Sequence, residues 1–181
     1  MKYRNEITIK NGQKCIIRNG TFEDGPEVST FFTTTHGETD YLLSYPEEST
    51  RDDEKQSNYL KETTESDREI ELLAIVDGKV VGMAGFHAIG SKYKVRHRAE
   101  FGITVSKNYW GQGIGKAIMN ACIKCAKEAG HIQLELDVVA DNTRAIELYK
   151  KLGFIEFGRN PKGFQSKYSG FQELVYMRLE L

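Results

Sequence analysis

One stretch, residues 100–119, constrains the fold more than any other part of this 181-residue chain. Its first part has apolar residues at alternate positions, as in a half-buried strand: Phe101, Ile103 and Val105. Glycines then occupy every second position: Gly111, Gly113 and Gly115. Beyond them the apolar residues take helical spacing: Ile114, Ala117, Ile118, Ala121, Cys122, Cys125 and Ala126. The stretch therefore predicts a strand, a glycine-rich turn and a buried amphipathic helix, in that order.

A turn of this kind predicts an anion-binding site. The N–H groups of a first helical turn have no partner within the helix, and glycines leave them open to a ligand. The helix dipole also favours a phosphate there, although a turn that binds nothing is the alternative. The run is not a P-loop, because Ala117 follows Lys116 where a hydroxyl is needed. Nor is it a dinucleotide fingerprint, because Gly115 comes too soon after Gly113.

The rest of the chain alternates between strand and helix patterns. Seven strands are predicted, at about 13–18, 70–76, 79–89, 94–105, 131–138, 154–158 and 172–181. Helices are predicted at about 26–35, 50–64, 114–130 and 142–152, and a loop at 159–170. Asp77-Gly78 indicates a hairpin, and Asn142 is a good N-cap residue. The pattern predicts one α/β domain over residues 1–181.

Composition excludes several classes of function. The net charge of −1 provides no basic excess for nucleic acid. No apolar run approaches the ~20 residues of a membrane span, and the first residues do not form a signal peptide, so a cytoplasmic protein is expected. Cys122 and Cys125 could be a redox or zinc half-site, but both lie on the apolar helix stripe and are interpreted as core, with no metal. His97 is similarly interpreted as a packed histidine on the apolar strand face.

Residues 38–69 are strongly acidic, with eleven acidic and four basic side chains and thus a balance of −7. A helix with a solvated polar face is the favoured interpretation. An acidic rim that attracts a cationic amine is the alternative. The neighbouring Tyr41, Leu42, Leu43 and Tyr45 could line an acceptor pocket or belong to the core.

Two motifs resemble the GNAT family of N-acetyltransferases. Gly113 and Gly115 match the acyl-CoA pyrophosphate loop, Arg/Gln-x-x-Gly-x-Gly/Ala, with Trp110 in place of the usual Arg or Gln. The second motif, within residues 138–159, comprises Asn142, Ala145, Tyr149, Gly153 and Phe154. The resemblance implies a GNAT fold, with a mixed, mostly antiparallel sheet of about seven strands flanked by helices. It also implies that the sheet splays between the strand ending at Val105 and the strand starting near His131.

The resemblance further implies transfer of an acetyl group from acetyl-CoA to a small-molecule or peptide amine. The implied cofactor-binding residues are Ile103, Val105, Gln112, Gly113, Ile114, Gly115, Lys116, Asn142 and Tyr149. Tyr149 is expected to protonate the leaving thiolate, and Glu100 to act as the base, with Glu135 as the alternative. Relatives of this family often pair through their C-terminal strands, so a homodimer is possible. An acyl-CoA-binding module without turnover and a nucleotide-binding loop remain as alternatives.

Overall fold

The computed structural model describes residues 1–48 and 52–181 and contains one mixed sheet of eight strands. The strands in chain order are β1 Arg4–Thr8, β2 Lys14–Asn19, β3 Ile70–Val76, β4 Lys79–Ala88, β5 Arg98–Val105, β6 Gln133–Val139, β7 Ile155–Ser166 and β8 Gly170–Glu180. Their order across the sheet is β1-β2-β3-β4-β5-β6-β8-β7. Neighbouring strands are antiparallel except for the parallel pair β5 and β6.

Four α-helices cover the two faces of this sheet: α1 Gly25–His36, α2 Asp53–Glu65, α3 Ile114–Glu128 and α4 Thr143–Lys151. Val28 of α1 and Leu60 of α2 pack with Leu73 and Met83 on one face. Helices α3 and α4 pack on the other face, where the apolar stripe of α3 is buried as its spacing predicts. Each central strand of the sheet therefore has one face of its side chains against α1 and α2 and the other face against α3 and α4.

The parallel pair β5 and β6 separates part of the way along its length. Backbone pairing is confined to Arg98–Glu100 of β5 and Gln133–Glu135 of β6. Ser106 donates its N–H to the carbonyl of Val81 on β4 (3.0 Å). Successive N–H groups along a strand point to opposite edges, so those of Val105 and Ile103 point away from β4. The predicted splay is confirmed, and it leaves backbone groups of β5 facing a gap.

Three boundaries differ from the sequence prediction, and the first two concern edge strands. β1 was missed because its residues are mostly exposed and show no buried face. The predicted loop at 159–170 is largely strand, since β7 continues to Ser166 and pairs with β8 through Gly170. β7 also has mostly exposed side chains, so backbone hydrogen bonds rather than an apolar pattern define it.

The third difference concerns His97, which lies in a turn before β5 rather than on an apolar strand face. Its carbonyl group accepts the N–H of Ile132 (2.8 Å), and its side chain is half-buried. Helix α2 begins at Asp53 with Asp52 as its N-cap, whereas positions 50 and 51 of the predicted helix fall outside the described residues. Cys122 and Cys125 are free and buried, which confirms their assignment to the core.

Candidate active site

A cavity of about 810 Å³ extends from the glycine-rich turn, along the gap between β5 and β6, to the sheet face beneath α1 and α2. It brings together most of the residues predicted from the sequence: Glu100, Ile103, Val105, Gly113, Gly115, Lys116, Asn142 and Tyr149. Gln112 and Ile114 do not line it. The residues predicted from the sequence thus come from β5, the turn that follows it, the start of α3, and α4 with its N-cap.

The glycine-rich turn presents unpaired N–H groups to this cavity. Gly111 and Gly113 have φ angles of +79° and +96°, which side chains with a Cβ rarely adopt. α3 begins directly afterwards, and Ala117 donates its N–H to the carbonyl of Gly113 (3.1 Å) at the start of the helix. The N–H groups of residues 113–116 have no backbone acceptor within the described parts of the chain. Such a set of donors fits a phosphate or pyrophosphate.

Gln112 and Ile114 contribute less than the sequence suggested. Gln112 donates its N–H to the carbonyl of Tyr109 (3.4 Å), and its side-chain Oε1 is buried outside the cavity lining and accepts no hydrogen bond from the described residues. Ile114 is fully buried in the core against Gly82, so its backbone N–H alone can reach a ligand. The prediction for Gln112 is therefore not supported by its placement, because the tight turn uses its N–H internally.

A cation that the sequence analysis missed lies beside the glycine-rich turn. Trp110 donates its indole N–H to the carbonyl of Val105 (2.6 Å), so this side chain cannot hydrogen-bond a phosphate. The guanidinium of Arg144 stacks over the Trp110 ring, 5.4 Å from its centre. Arg144 Nη2 lies 3.0 Å from the point where a Cβ on Gly111 would stand. A basic residue in a first helical turn opposes the helix dipole, and that signal could have identified Arg144.

Helix α4 directs two predicted residues into the cavity. Asn142 caps the helix by accepting the N–H of Ala145 (3.3 Å) through Oδ1, which leaves its amide N–H groups available. Tyr149 is only 7% exposed, and its hydroxyl has no hydrogen-bond partner within the described residues. Burial, with a contribution from Asp137, raises the pKa of Tyr149 above its ordinary value. At neutral pH the phenol therefore keeps its proton and can donate it.

The sheet face of the cavity carries carboxylates from three strands. Glu100 on β5 is half exposed and lies 3.4 Å from His87 Nε2 on β4. Asp137 on β6 has a raised pKa because of burial and the nearby Glu100. Glu71 on β3 is 7% exposed and accepts the hydroxyl of Tyr59 (2.9 Å). Burial raises the pKa of Glu71 to about 7.

Glu71, Asp137 and His87 were not predicted as site residues. Glu71 carried a usable signal, since it is the single acid within the apolar run Ile70–Val76. Glu135, the alternative base, does not line the cavity, because Arg98 holds its carboxylate through Nε and through Nη2 (2.7 Å). Glu100 is therefore the better placed of the two predicted bases.

The segment that connects α1 and α2 borders the cavity. Tyr41, Leu42 and Leu43 line it. Tyr45 instead donates to Asp40 (3.1 Å) and accepts the N–H of Lys167 (2.8 Å), which fixes the connection to the β7–β8 turn. Of the described acids between positions 38 and 69, Glu38 alone lines the cavity, and Lys107 N–H binds it (2.7 Å). The acids of α2 face solvent, in agreement with the favoured interpretation of this region.

Residues 1–48 and 52–181 contain neither a membrane-spanning helix nor a metal-binding cluster. No helix in these ranges has the length and apolar character needed to cross a bilayer. The same ranges contain no group of three or more His, Cys, Asp or Glu side chains arranged to hold a metal ion.

Comparisons with known proteins agree with this geometry. The sequence profile of the acetyltransferase (GNAT) family matches residues 35–154. L-amino acid N-acetyltransferase AaaT of Escherichia coli K12 is 32% identical over 108 residues, which cover 59% of this chain and 65% of that protein. The chain thus spans less than two thirds of the length of the first curated relatives it matches.

Solved structures show the same fold over nearly the whole chain. The GNAT-family acetyltransferase of Streptococcus pneumoniae superposes with a TM-score of 0.88 at 27% identity, covering 92% of this chain and 99% of that one. A protein of Salmonella typhimurium, solved with its cofactor acetyl-CoA, superposes with a TM-score of 0.81 at 21% identity, covering 92% and 94%. The latter likeness concerns the fold.

Proposed function

The chain belongs to the GNAT family of acetyltransferases, and on this premise we propose that it moves an acetyl group from acetyl-CoA to a primary amine by direct transfer. The observation that supports this most is the gap between β5 and β6. It opens into the cavity that also contains the glycine-rich turn and the hydroxyl of Tyr149. A phosphate site, a free strand edge and a proton donor therefore lie along one channel.

The donor is proposed to bind through backbone groups. The N–H groups of Gly113, Ile114, Gly115 and Lys116 face the phosphates. The edge of β5 at Ile103 pairs with the pantetheine arm as a neighbouring strand would. At Val105 the N–H is the group left for the donor, because the carbonyl already accepts the indole N–H of Trp110. Asn142 can donate its amide N–H to the same arm, because only Oδ1 is used by the helix cap.

Three groups of the chain are proposed to move charge during the reaction. Acetyl-CoA supplies the acyl group as a thioester. Glu100 removes a proton from the ammonium form of the acceptor, since an ammonium has no lone pair for attack. The N–H of Val105 polarises the thioester carbonyl, and Tyr149 donates its phenolic proton to the thiolate. No residue in this scheme needs a metal ion.

Replacement of Tyr149 by Phe tests the scheme. The variant keeps the buried ring and loses only the hydroxyl, so turnover should fall by about 100-fold or more while CoA binding is retained. Release of free CoA thiol with a panel of amines gives turnover, and calorimetry with CoA gives binding. Tyr93→Phe, on an exposed tyrosine outside the cavity, is the matched control. Unchanged turnover in Tyr149→Phe would exclude Tyr149 as the proton donor.

The same measurements separate the alternative functions. CoA binding without thiol release for any amine would favour an acyl-CoA-binding module. Preference for ATP over CoA would favour a nucleotide site, which the family match already argues against. The acceptor panel should include amino acids, since the Escherichia coli relative is named for them, and peptides with free N-termini.

We also propose a cytoplasmic location and a homodimer. The three cysteines are unpaired and buried, as is usual for proteins of a reducing compartment. The proposed partner is a second copy, joined through the C-terminal strands.

A further inference from the structure

Glu71 is a buried carboxylate at the floor of the cavity with an incomplete set of partners. Its Oε2 accepts the hydroxyl of Tyr59 on α2. Its Oε1 accepts no hydrogen bond from the described residues, and no Lys or Arg among them forms an ion pair with it. Burying a carboxylate is costly unless a cation or several donors satisfy it. The fold therefore leaves room for a positive group at Glu71.

The neighbouring strands are shaped around this carboxylate. Glu71, Gly85 and Gly102 stand opposite one another on β3, β4 and β5. A Cβ on Gly85 would lie 2.6 Å from Glu71 Oε2, so any larger residue would displace the acid. A Cβ on Gly102 would meet nothing within 4 Å. The two glycines thus form an open floor between Glu71 and β5.

The spacing of the strands sets the distance between two anionic positions. Neighbouring strands lie ~4.8 Å apart, which places β3 roughly 10 Å from β5. Glu100 is on β5, the strand that borders the gap, and Glu71 is two strands away. Glu71 Oε2 reaches over Gly85 of β4, 2.6 Å from where a Cβ there would stand, so the carboxylate lies one strand spacing, ~4.8 Å, from β5. Because Glu100 stands on the strand that borders the gap, Glu71 is placed to bind a second group of the same acceptor.

The cations of the cavity lie elsewhere. Its Lys and Arg residues among those described are Lys10, Lys116, Arg144 and Lys151. Lys10 follows β1 and its N–H contacts Gln112 of the glycine-rich turn (3.2 Å), and the other three belong to α3 and α4. The end of the cavity over β3 and β4 therefore lacks a lysine or arginine that could neutralise Glu71.

We infer that Glu71 and Tyr59 bind a second cationic group of the acceptor, so that the preferred acceptors are primary diamines. This inference rests on the proposed transferase function. One ammonium group of the diamine lies at the gap beside Glu100 and reacts. The other lies over the glycine floor and donates to Glu71, while Tyr59 holds the carboxylate in place. Glu71 is in this scheme a specificity residue.

Matched pairs of amines test the inference. Thiol release from acetyl-CoA is measured with 1,4-diaminobutane against butylamine, and with 1,5-diaminopentane against pentylamine. The native protein should favour each diamine in kcat/KM by roughly 10- to 100-fold, the range expected for a hydrogen bond to a charged group. In Glu71→Gln, which keeps the size of the side chain and an acceptor for Tyr59, this ratio should fall toward one.

Glu62→Gln is the matched control. Glu62 is exposed on α2 and lies outside the cavity, so its loss removes one negative charge from the acidic region without changing the floor. The diamine preference should persist in this variant. A native protein without diamine preference, or an equal preference in Glu71→Gln, would overturn the inference. Loss of preference in both variants would assign it to the acidic surface and overturn the role of Glu71.

Binding separates failure of this inference from failure of the proposed reaction. If no amine releases thiol, the transferase proposal fails. Calorimetric titration of 1,5-diaminopentane into the CoA-bound protein then decides about Glu71. Saturable binding that is lost in Glu71→Gln supports the cation site, and absence of binding to the native protein refutes it.

Discussion

The carboxyl group of Glu71 lies between the sheet and α2, with the hydroxyl of Tyr59 as its one donor among the described residues. Burial raises its pKa from 4.5 to about 7. Between pH 4.5 and about 7, Glu71 is therefore protonated in the folded protein and ionised in the unfolded chain. Stability falls as pH rises through this window, because the ionised form is buried without a cation. Above about pH 7 the folded protein bears the full free-energy cost of burying the ionised carboxylate.

Glu71→Gln should remove this cost. The shift from 4.5 to about 7 corresponds to a gain of about 3 kcal/mol in the free energy of unfolding at pH 8, with most of the gain absent at pH 5. Urea unfolding at the two pH values measures the effect, with Glu62→Gln as an exposed control. An equal change at both pH values would show that ionisation of Glu71 is not its cause.

At the scale of elements, the first turn of α4 carries an unusual charge. Helix N-termini favour acids, and Arg144 therefore opposes the dipole of its own helix by about 0.3–1 kcal/mol. The stacking on Trp110 holds its guanidinium beside the glycine-rich turn. Trp110 occupies the position where the family motif has Arg or Gln, and its indole N–H is bound to Val105. Arg144 can thus supply the side-chain contact that Trp110 lacks.

We expect Arg144→Ala to weaken CoA binding by roughly 10-fold, as for loss of one charge-assisted hydrogen bond. Thermal stability should not fall, because the substitution also removes an unfavourable charge from the first turn. Calorimetry with CoA at low and high salt measures the affinity, and the difference from the native protein should shrink at high salt. Lys150→Ala, at the other end of α4, is the control. Equal affinities in all three proteins would contradict the role of Arg144.

The elements that the sequence predicted are those with at least one buried face. Buried apolar residues recur at strand or helix spacing in each of these elements: β3, β4, β5, α3 and α4. β1 and the outer half of β7 are exposed edges that backbone pairing defines, so their side chains show no such period. The predictions at β1 and β7 failed for this reason, whereas the early start predicted for β5 placed His97 in a strand although it lies in a turn.

The candidate site was predictable only where a motif is continuous in sequence. Gly113, Gly115, Asn142 and Tyr149 belong to two short motifs, and all four line the cavity. Glu71 and Asp137 come from separate strands, and a sequence does not show which strands lie side by side. The gap that unites these residues depends on a parallel pairing that stops after Glu100, a tertiary feature without a local pattern.

At the scale of the whole molecule, a nearly neutral chain contains a polarised channel. The net charge of −1 conceals the separation of the cavity's charges. Lys10, Lys116 and Arg144 lie at the glycine-rich turn, whereas Glu71, Glu100 and Asp137 lie on strands of the sheet. Such an arrangement orients a donor with an anionic end and an acceptor with a cationic end along the same channel.

The outer edge of the sheet, formed by β7, is the proposed contact with a second copy of the chain. β7 is the final strand of the sheet, and Ile155 and Phe157 on it are 53% and 49% exposed. An unpaired edge with exposed apolar residues favours association with another chain unless charges or bulges protect it. Register shifts occur between Glu156 and Gly158, at Phe157 itself, and between Asn160 and Phe164, so the contact is expected through exposed apolar side chains rather than through continued strand pairing. We therefore expect a homodimer that contacts its partner through Ile155 and Phe157.

Phe157→Lys should shift the dimer to a monomer in sedimentation velocity, because it buries a charge at the centre of the proposed contact. Tyr93→Lys adds the same charge at a residue that is 79% exposed between β4 and β5, and should leave the dimer intact. Ile155 and Phe157 do not line the cavity, and its glycine-rich turn and helix α4 belong to one chain, so CoA binding should survive in the monomeric variant. A native protein that sediments as a monomer, or a dimer unaffected by Phe157→Lys, would show that this edge is not the interface.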